Sequence, residues 1–507
     1  MHARPIPSVP LLSALHAIQD RHGLLPADAL AGLARERGMS DGDLADFVSF
    51  FNGFRTGPPA TGENAVCLGP ACVAVGAERL LAAPGTRGVP CQGRCERAPL
   101  TLPDMPETPA SAIPADWDAW GKSDAVPADP IATLRASGLC GMGGAGFPTW
   151  RKWRAVQGRP GGDRVVIVNA DEGEPGTFKD RWLLDRHPAQ VLAGALLAAA
   201  TVGAGRVIVY LRNEYRAQER ILAGLISRLR AAQRIADGAT PTPGRPEVTL
   251  VRGGGAYICG QESALIASLE DRRGEPSHAG PYPAESGLWG LPTLVQNVET
   301  LYHAAGIARH GANWYADGGG RRLFSVSGAV VRPGVYERPL TSTAADLLAA
   351  AGGMVDGRPP KGFIPGGGAT GLLPPEALDA PLTPAGLAAW GTQPGTGGLV
   401  FLGTDACPVA VAARLAAFFA AESCGQCDPC RLGTARLHDT LTALRGGTLP
   451  DLFHLTAVAS AMRAGSICGL GRAAPLVVTS LLAHFGAEVT AHGGRTCPAG
   501  VCFGEGG

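Results

Sequence analysis

Apolar residues recur at helical spacing along 8–55, with breaks near 23–26 and 38–42 where Gly and Pro interrupt them. Residues 62–100 carry only short apolar runs among four cysteines. Between 131 and 320 the pattern alternates. Compact β-branched runs at 165–168 and 207–211 predict buried strands, and helical periods at 190–202 and 218–234 predict helices. Such alternation predicts an α/β layer structure. The character then changes. Residues 323–326, 330–335 and 399–402 read as strands and 344–351 as one short helix, which suits a small α+β domain. From 408 onward Ala and Leu return at helical spacing around cysteines and predict a helical bundle. Residues 101–130, rich in Pro and Asp, read as a linker. The most apolar stretch, 191–202, falls short of the ~20 residues that span a bilayer, so a buried helix and no membrane span are expected. The N-terminal stretch is interrupted by Ser13, His16 and Gln19 and does not read as a signal peptide.

Composition narrows the class. At about 100–200 residues per domain, a chain of 507 residues predicts three to five domains. Lys plus Arg is 44 and Asp plus Glu is 44, so no basic excess is available to neutralise phosphates, and a nucleic-acid partner is not expected. Gly 72 and Pro 42 imply many turns, while 45% hydrophobic residues support packed cores. Thirteen cysteines, an odd number in a large chain, fit a secreted disulfide scaffold poorly. The expectation is a soluble, cytoplasmic chain whose thiols are free to bind metal.

Cysteine spacing supplies the chemistry. Cys424, Cys427 and Cys430 follow C-x2-C-x2-C, which can set three thiolates around one cubane face. Cys468, in the SICGLG segment, is the candidate fourth ligand, because flanking glycines let backbone N–H groups approach cluster sulfurs. A [4Fe–4S] cluster is the favoured reading; a closed tetrahedral zinc site competes. A second set pairs Cys67-x4-Cys72 with Cys91-x3-Cys95, and two such pairs can each hold one iron of a [2Fe–2S] centre. A zinc site, or a site that has lost its cluster, is the alternative, since the connection between the pairs is short. Cys140, Cys259, Cys407, Cys497 and Cys502 read as ordinary thiols, although Cys497-x4-Cys502 has half-site spacing.

Three polar segments complete the candidate site. GMGGAGF, with Gly141, Gly143 and Gly144, matches G-x-G-x-x-G, but a helix rather than a strand is expected before it, so the ordinary dinucleotide fingerprint fails. Its glycines can still admit a phosphate or flavin close to the backbone. Lys152, one of only four lysines, lies just beyond. The strand at 165–168 runs into Asn169, Asp171, Glu172 and Glu174, a dense polar loop at a strand C-terminus, where α/β proteins place ligand chemistry. A solvated acidic turn is the plain alternative. GGGAYICG, with Tyr257 and Gly260, precedes Glu262 at a helix start, and Tyr282 sits between two prolines, placed either to stack on a ring or to fill a rim.

Together, GMGGAGFPT, NADEGEPGTFKDR, GGGAYICG, GLWGLPT with NVET, and ESCGQCDPCRLG with SICGLG resemble the flavin-binding, NADH-oxidising (51 kDa) subunit of respiratory complex I and its relatives in NAD-reducing hydrogenases and formate dehydrogenases. Residues 8–100 resemble the thioredoxin-like [2Fe–2S] (24 kDa) subunit, and 321–404 a ubiquitin-like β-grasp insert. The fused chain is most similar to the beta subunit of soluble molybdenum formate dehydrogenases; the hydrogenase counterpart is expected to be longer. The resemblance implies a multidomain α/β and α+β chain. It would comprise a helical leader with a thioredoxin-like domain (1–105), a linker (106–130), a Rossmann-like FMN and NADH domain (131–320), a β-grasp domain (321–405) and a helical iron–sulfur bundle (406–507). It implies that Gly141, Gly143, Gly144, Lys152, Asn169, Asp171, Tyr257, Gly260, Asn297 and Thr300 hold FMN, with Glu172 in the same polar loop. Phe147, Glu174, Glu262 and Tyr282 would line the NAD(H) site, the two glutamates flanking the hydride exchange. Implied partners are a molybdopterin-containing catalytic subunit and a small iron–sulfur subunit. A hydrogenase or complex I-like subunit, or a non-catalytic electron relay, is the alternative. Three departures from the family pattern, Gln261, Gln296 and Ala279, would retune nucleotide contacts.

Overall fold

The computed structural model describes residues 10–57, 64–102, 127–237, 244–277, 280–449 and 451–503. Most of the expected linker, and Ala279, therefore lie outside the described residues. Contacts divide the chain into two compact units.

The first unit takes residues 1–61, 107–172 and 180–320. Its centre is a four-stranded parallel sheet in the order Glu247–Arg252, Arg206–Leu211, Val165–Ala170, Thr293–Asn297. Val165, Val166, Ile167 and Val168 are all fully buried, which explains the unbroken β-branched run: parallel strands are covered on both faces. Val165 pairs with Arg206 on one side and Thr293 on the other. The strand order reverses at this central strand, the position at which open α/β sheets place their ligands. Helix Pro188–Val202 covers the sheet and is largely buried, as its apolar sequence predicts. Its Gly194 lets helix Val298–His310 approach, since a Cβ there would stand 2.1 Å from the Leu301 carbonyl oxygen. Among the described residues no single helix is long and apolar enough to cross a membrane.

The helical leader also belongs to this unit. Helices Leu11–His22, Ala27–Arg37 and Asp41–Phe50 bury Leu11, Leu12, Leu15 and Phe47. The Gly53 N–H donates to the Gly254 carbonyl at 2.9 Å, and His16 Nε2 bonds the Gly253 carbonyl at 2.8 Å. The leader therefore fixes the start of the 253–260 loop.

The second unit takes residues 62–106, 173–179 and 321–507. A small sheet, in the order Thr86–Val89, Asn64–Cys67, Thr101–Leu102, forms the thioredoxin-like part. A mixed sheet, in the order Gly362–Ile364, Gly398–Leu402, Arg321–Gly328, Gly334–Pro339, packs with helix Ala344–Ala350 as a β-grasp core around Phe324, Leu347 and Phe401. The strand expected at 330–335 is displaced to Gly334–Pro339. Val330 makes only an isolated bridge to Met354, and Pro333, which has no N–H for a ladder, delays pairing until the next residue. The rest is helical, from Pro408–Ala421 to Gly486–Gly493. Glu78 ties the thioredoxin-like part to this bundle, accepting from Arg414 Nε and, at 3.1 and 3.0 Å, from Arg445.

Candidate functional site: a glycine loop at the sheet's switch point and two cysteine sets

In the first unit the expected polar residues converge where the sheet order reverses. Asn169 is the penultimate residue of the central strand; its side-chain amide donates to the Gly260 carbonyl at 2.8 Å, and its Oδ1 accepts from the Asp171 N–H at 3.2 Å. Asn297 ends the neighbouring strand and caps helix Val298–His310, accepting from the Glu299 and Thr300 N–H groups. Its amide donates to Asp180 at 2.6 Å, a partner the sequence had not singled out. The glycine loop is closed at its base by the Gly141 N–H to Phe147 carbonyl bond of 2.8 Å and a bridge between Cys140 and Pro148. Gly144 and Gly146 adopt φ of 106° and 64°, which a side chain would resist. Thr300 Oγ1 accepts from the Met142 N–H at 2.9 Å and holds the loop against the helix start, and Gly143 faces the Asn297 Cβ.

Lys152 comes from helix Thr149–Gln157. Its ammonium pairs with Glu262 and donates to the Val295 carbonyl at 3.1 Å, so a positive charge is fixed beside strand Thr293–Asn297. Tyr257 and Gly260 lie on one half-buried helical turn, immediately before helix Glu262–Leu269. Gln261 accepts from the Ala264 N–H at 2.9 Å and caps that helix. The amide thus takes a structural task that needs no charge. Gln296 is buried within its strand.

Two expected acidic residues are engaged by hydrogen-bond donors of the chain itself. Glu172 is buried and accepts from the Asp180 and Arg181 N–H groups and from the Tyr215 hydroxyl, which fills both its oxygens. Glu174 falls in the second unit, where it accepts from the Ala369 N–H at 2.7 Å. Phe147 and Tyr282 are exposed at 49% and 68%, so both rings present open faces.

The second unit holds both cysteine sets. Cys67, Cys72, Cys91 and Cys95 are all buried, and Cys91 Sγ lies 3.6 Å from Cys95 Sγ. Hydrogen bonds to Cys72 and Cys91, then burial, push the Cys67 thiol up; a bond to Cys91, then burial, does the same to Cys95. Gly69 leaves room for this packing, because a Cβ there would stand 2.9 Å from Cys91 Sγ. In the bundle, Cys427 precedes helix Asp428–Arg445, and Cys468 precedes helix Gly469–Ala473. Burial pushes the Cys430 thiol up to about 12, and the charges of Cys468, Cys427 and Cys424 add to the effect. The four cysteines are therefore neighbours, and N–H groups of Gly471 and Leu470 bond Cys468. Cys67, Cys95, Cys430 and Cys468, all pushed up by burial and close neighbours, suit a bound cation that would share the charge of their thiolates. The donor sets fit one cubane and one two-iron centre, with no carboxylate or histidine mixed in.

Comparison with known proteins agrees with this geometry. Residues 134–305 match the family model of the Nuo51 FMN-binding domain. Residues 410–492 match the NADH-ubiquinone oxidoreductase-F iron-sulfur binding region, and 2–87 the thioredoxin-like [2Fe-2S] ferredoxin family. The chain is 38% identical over 381 residues to an NADH-quinone oxidoreductase subunit of Streptomyces coelicolor, covering 74% of this chain and 85% of that one. It is 35% identical over 386 residues to the HndC subunit of the NADP-reducing hydrogenase of Solidesulfovibrio fructosivorans, covering 74% and 79%. A crystal structure of an NAD+-reducing [NiFe]-hydrogenase in the H2-reduced state superposes with a TM-score of 0.82 at 33% identity, over 95% of this chain and 93% of that one.

Proposed function

The chain belongs to the Nuo51 family of NADH-quinone oxidoreductase subunits, and on that premise we propose that it is the NAD(H)-exchanging subunit of a multi-subunit oxidoreductase. The observation that carries this reading is the convergence of Lys152, Asn169, Asp171, Gly260, Asn297 and Thr300 around the glycine loop at the sheet's switch point. A bound FMN would supply exchange of an electron pair with the nicotinamide, and the iron–sulfur centres would supply single-electron transfer.

The residues position and tune. Lys152 holds a positive charge where an anionic group of the flavin would need one, and its bond to Glu262 fixes its direction. Asn169 spends both side-chain polar atoms on the backbone frame, and Asn297 one on the frame and one on Asp180, so their orientation is set before any ligand arrives. Tyr282 and Phe147 offer rings for stacking of a planar nucleotide. Glu172 acts through the backbone, holding the acidic loop in place. Cys424, Cys427, Cys430 and Cys468 would hold the [4Fe–4S] cluster, and Cys67, Cys72, Cys91 and Cys95 the [2Fe–2S] cluster.

For the partner, the first reading is a molybdopterin-containing subunit that oxidises formate, with a small iron–sulfur subunit, and it rests on the resemblance of the sequence motifs alone. A hydrogenase partner is the second reading, favoured by the superposition over nearly the whole length of both chains. That coverage also corrects the expectation that a hydrogenase counterpart is longer: the two chains are nearly equal, and length does not separate the readings. The test is purification of the intact complex followed by NAD+ reduction with formate or with H2. Formate-dependent reduction supports the first reading; H2-dependent reduction replaces it with the second. Flavin-loaded complex that fails to reduce dye with NADH overturns both.

A further inference from the structure

Four side chains outside these centres meet in the second unit. Cys407, His492, Cys497 and Cys502 each bring one ligand atom, and all four atoms lie within 4.8 Å of one another. Cys407 Sγ is 3.3 Å from His492 Nε2 and 3.6 Å from Cys502 Sγ. Sequence spacing identified only the Cys497-x4-Cys502 half of this set. From this geometry we infer a third metal centre, a closed tetrahedral Cys3His zinc site that clamps the C-terminal segment to the helical bundle.

Distance decides between one ion and a cluster. Tetrahedral zinc with Zn–S of about 2.3 Å and Zn–N of about 2.0 Å sets its ligand atoms roughly 3.5–3.8 Å apart. The Cys407–Cys502 separation falls within that range and the Cys407–His492 separation just below it. A cubane binds each thiolate to a different iron and needs its sulfurs spread more widely around an inorganic core. The chemistry of the donors points the same way, since three thiolates and one imidazole are a soft set that zinc takes in closed, redox-inactive sites.

The surroundings are those of a built site. His492 is fully buried, and its Nδ1 bonds the Glu488 carbonyl at 2.7 Å. A ring that donates from Nδ1 carries its lone pair on Nε2, the atom facing the cysteines. Cys407 begins helix Pro408–Ala421 and accepts from the Ala410 N–H at 3.3 Å, a contact that favours a thiolate there. Arg445 hydrogen-bonds Cys502, placing a positive charge beside a site whose three thiolates outweigh a divalent ion by one. After helix Gly486–Gly493 the chain turns through Arg495 at φ 59° and Gly500 at φ 68°, which returns Cys497 and Cys502 to the helix ends. Binding of the ion would release the protons of the cysteine thiols to water, and no oxidation is involved.

The experiment is metal analysis of the full chain, purified without metal-affinity steps, with flavin and iron measured on the same samples. One zinc per chain is expected, with X-ray absorption showing about three sulfurs at ~2.3 Å and one nitrogen at ~2.0 Å. Cys502→Ser and His492→Ala should lose the zinc while iron and flavin stay at wild-type levels. His492→Cys, which restores four ligands, should keep it even where the alanine variant folds poorly. Zinc well below one per chain that zinc chloride does not restore overturns the inference. So does iron or a Cys407–Cys502 disulfide at these positions.

Discussion

A histidine at 4% exposure with a single carbonyl partner is held neutral. Burial lowers the His16 pKa to about 4, against smaller raising contributions from the Gly253 carbonyl and Asp20. The folded value lies below the unfolded value of about 6.5, so the unfolded chain binds more protons between the two. The stability of neutral His16 is therefore complete above about pH 6.5, is lost as pH falls toward 4, and changes no further below that. The shift corresponds to about 3 kcal/mol over the window. Urea unfolding at pH 7 and pH 5 should show the loss, and His16→Gln should flatten it; equal slopes in both proteins would refute the assignment. Lys152 makes a second case. Its replacement by Met removes a charge-assisted contact worth about 1.5–3 kcal/mol, so flavin affinity should fall about tenfold or more. Fluorescence titration of flavin into the apoprotein checks this, and unchanged affinity places the lysine outside the flavin site. At this scale, the ligands that sequence revealed were those with local spacing, such as Cys424, Cys427 and Cys430. Asp180, His492 and Cys407 were missed because only folding brings them to their partners.

At the scale of elements, patterns read well where burial imposes a period and poorly where prolines and glycines set the path. The central strand Val165–Ala170 was legible because both of its faces are covered. The short strand Gly362–Ile364 was not, since four residues between Pro360 and Pro365 show no period, and pairing with Gly398–Leu402 and a bridge from Phe363 to Leu373 define it. Close approach of elements is likewise invisible in sequence until a glycine is seen in place. Gly471 sits where a Cβ would stand 2.4 Å from Ser466 Oγ and 2.9 Å from Cys430 Cβ, inside the turn that presents Cys468. Gly471→Ala must therefore push helix Gly469–Ala473 away from helix Asp428–Arg445. The expected result is loss of about four irons per chain, with flavin retained because its residues belong to the other unit. Full iron content in this variant would show that the turn yields without disturbing the ligands.

For the whole chain, the division into units separates the two chemistries. The residues proposed to hold flavin lie within 107–172 and 180–320, and both cysteine sets lie within the second unit. The acidic run is shared: Asn169, Asp171 and Glu172 serve the first unit, while Glu174 is held by the Ala369 N–H in the second. That partition is not legible in the chain's pattern, because a continuous motif reads as one loop. The helical leader, read from sequence together with the following cysteine pairs, packs instead beneath the 253–260 loop through His16 and Gly53. The separation makes a prediction about electron flow. One [4Fe–4S] and one [2Fe–2S] centre amount to about six irons per chain. Cys91→Ser removes one proposed ligand from a buried set of four in which burial and contact push the Cys67 and Cys95 thiols up, so the two-iron centre should be lost outright. Iron should fall to about four, and the [2Fe–2S] EPR signal should vanish. NADH-dependent dye reduction should persist, since the residues proposed to hold FMN and NAD(H) include none of these cysteines. If dye reduction disappears with the signal while flavin stays bound, electrons leave the flavin through the [2Fe–2S] centre, and the two chemistries are not separable as the units suggest.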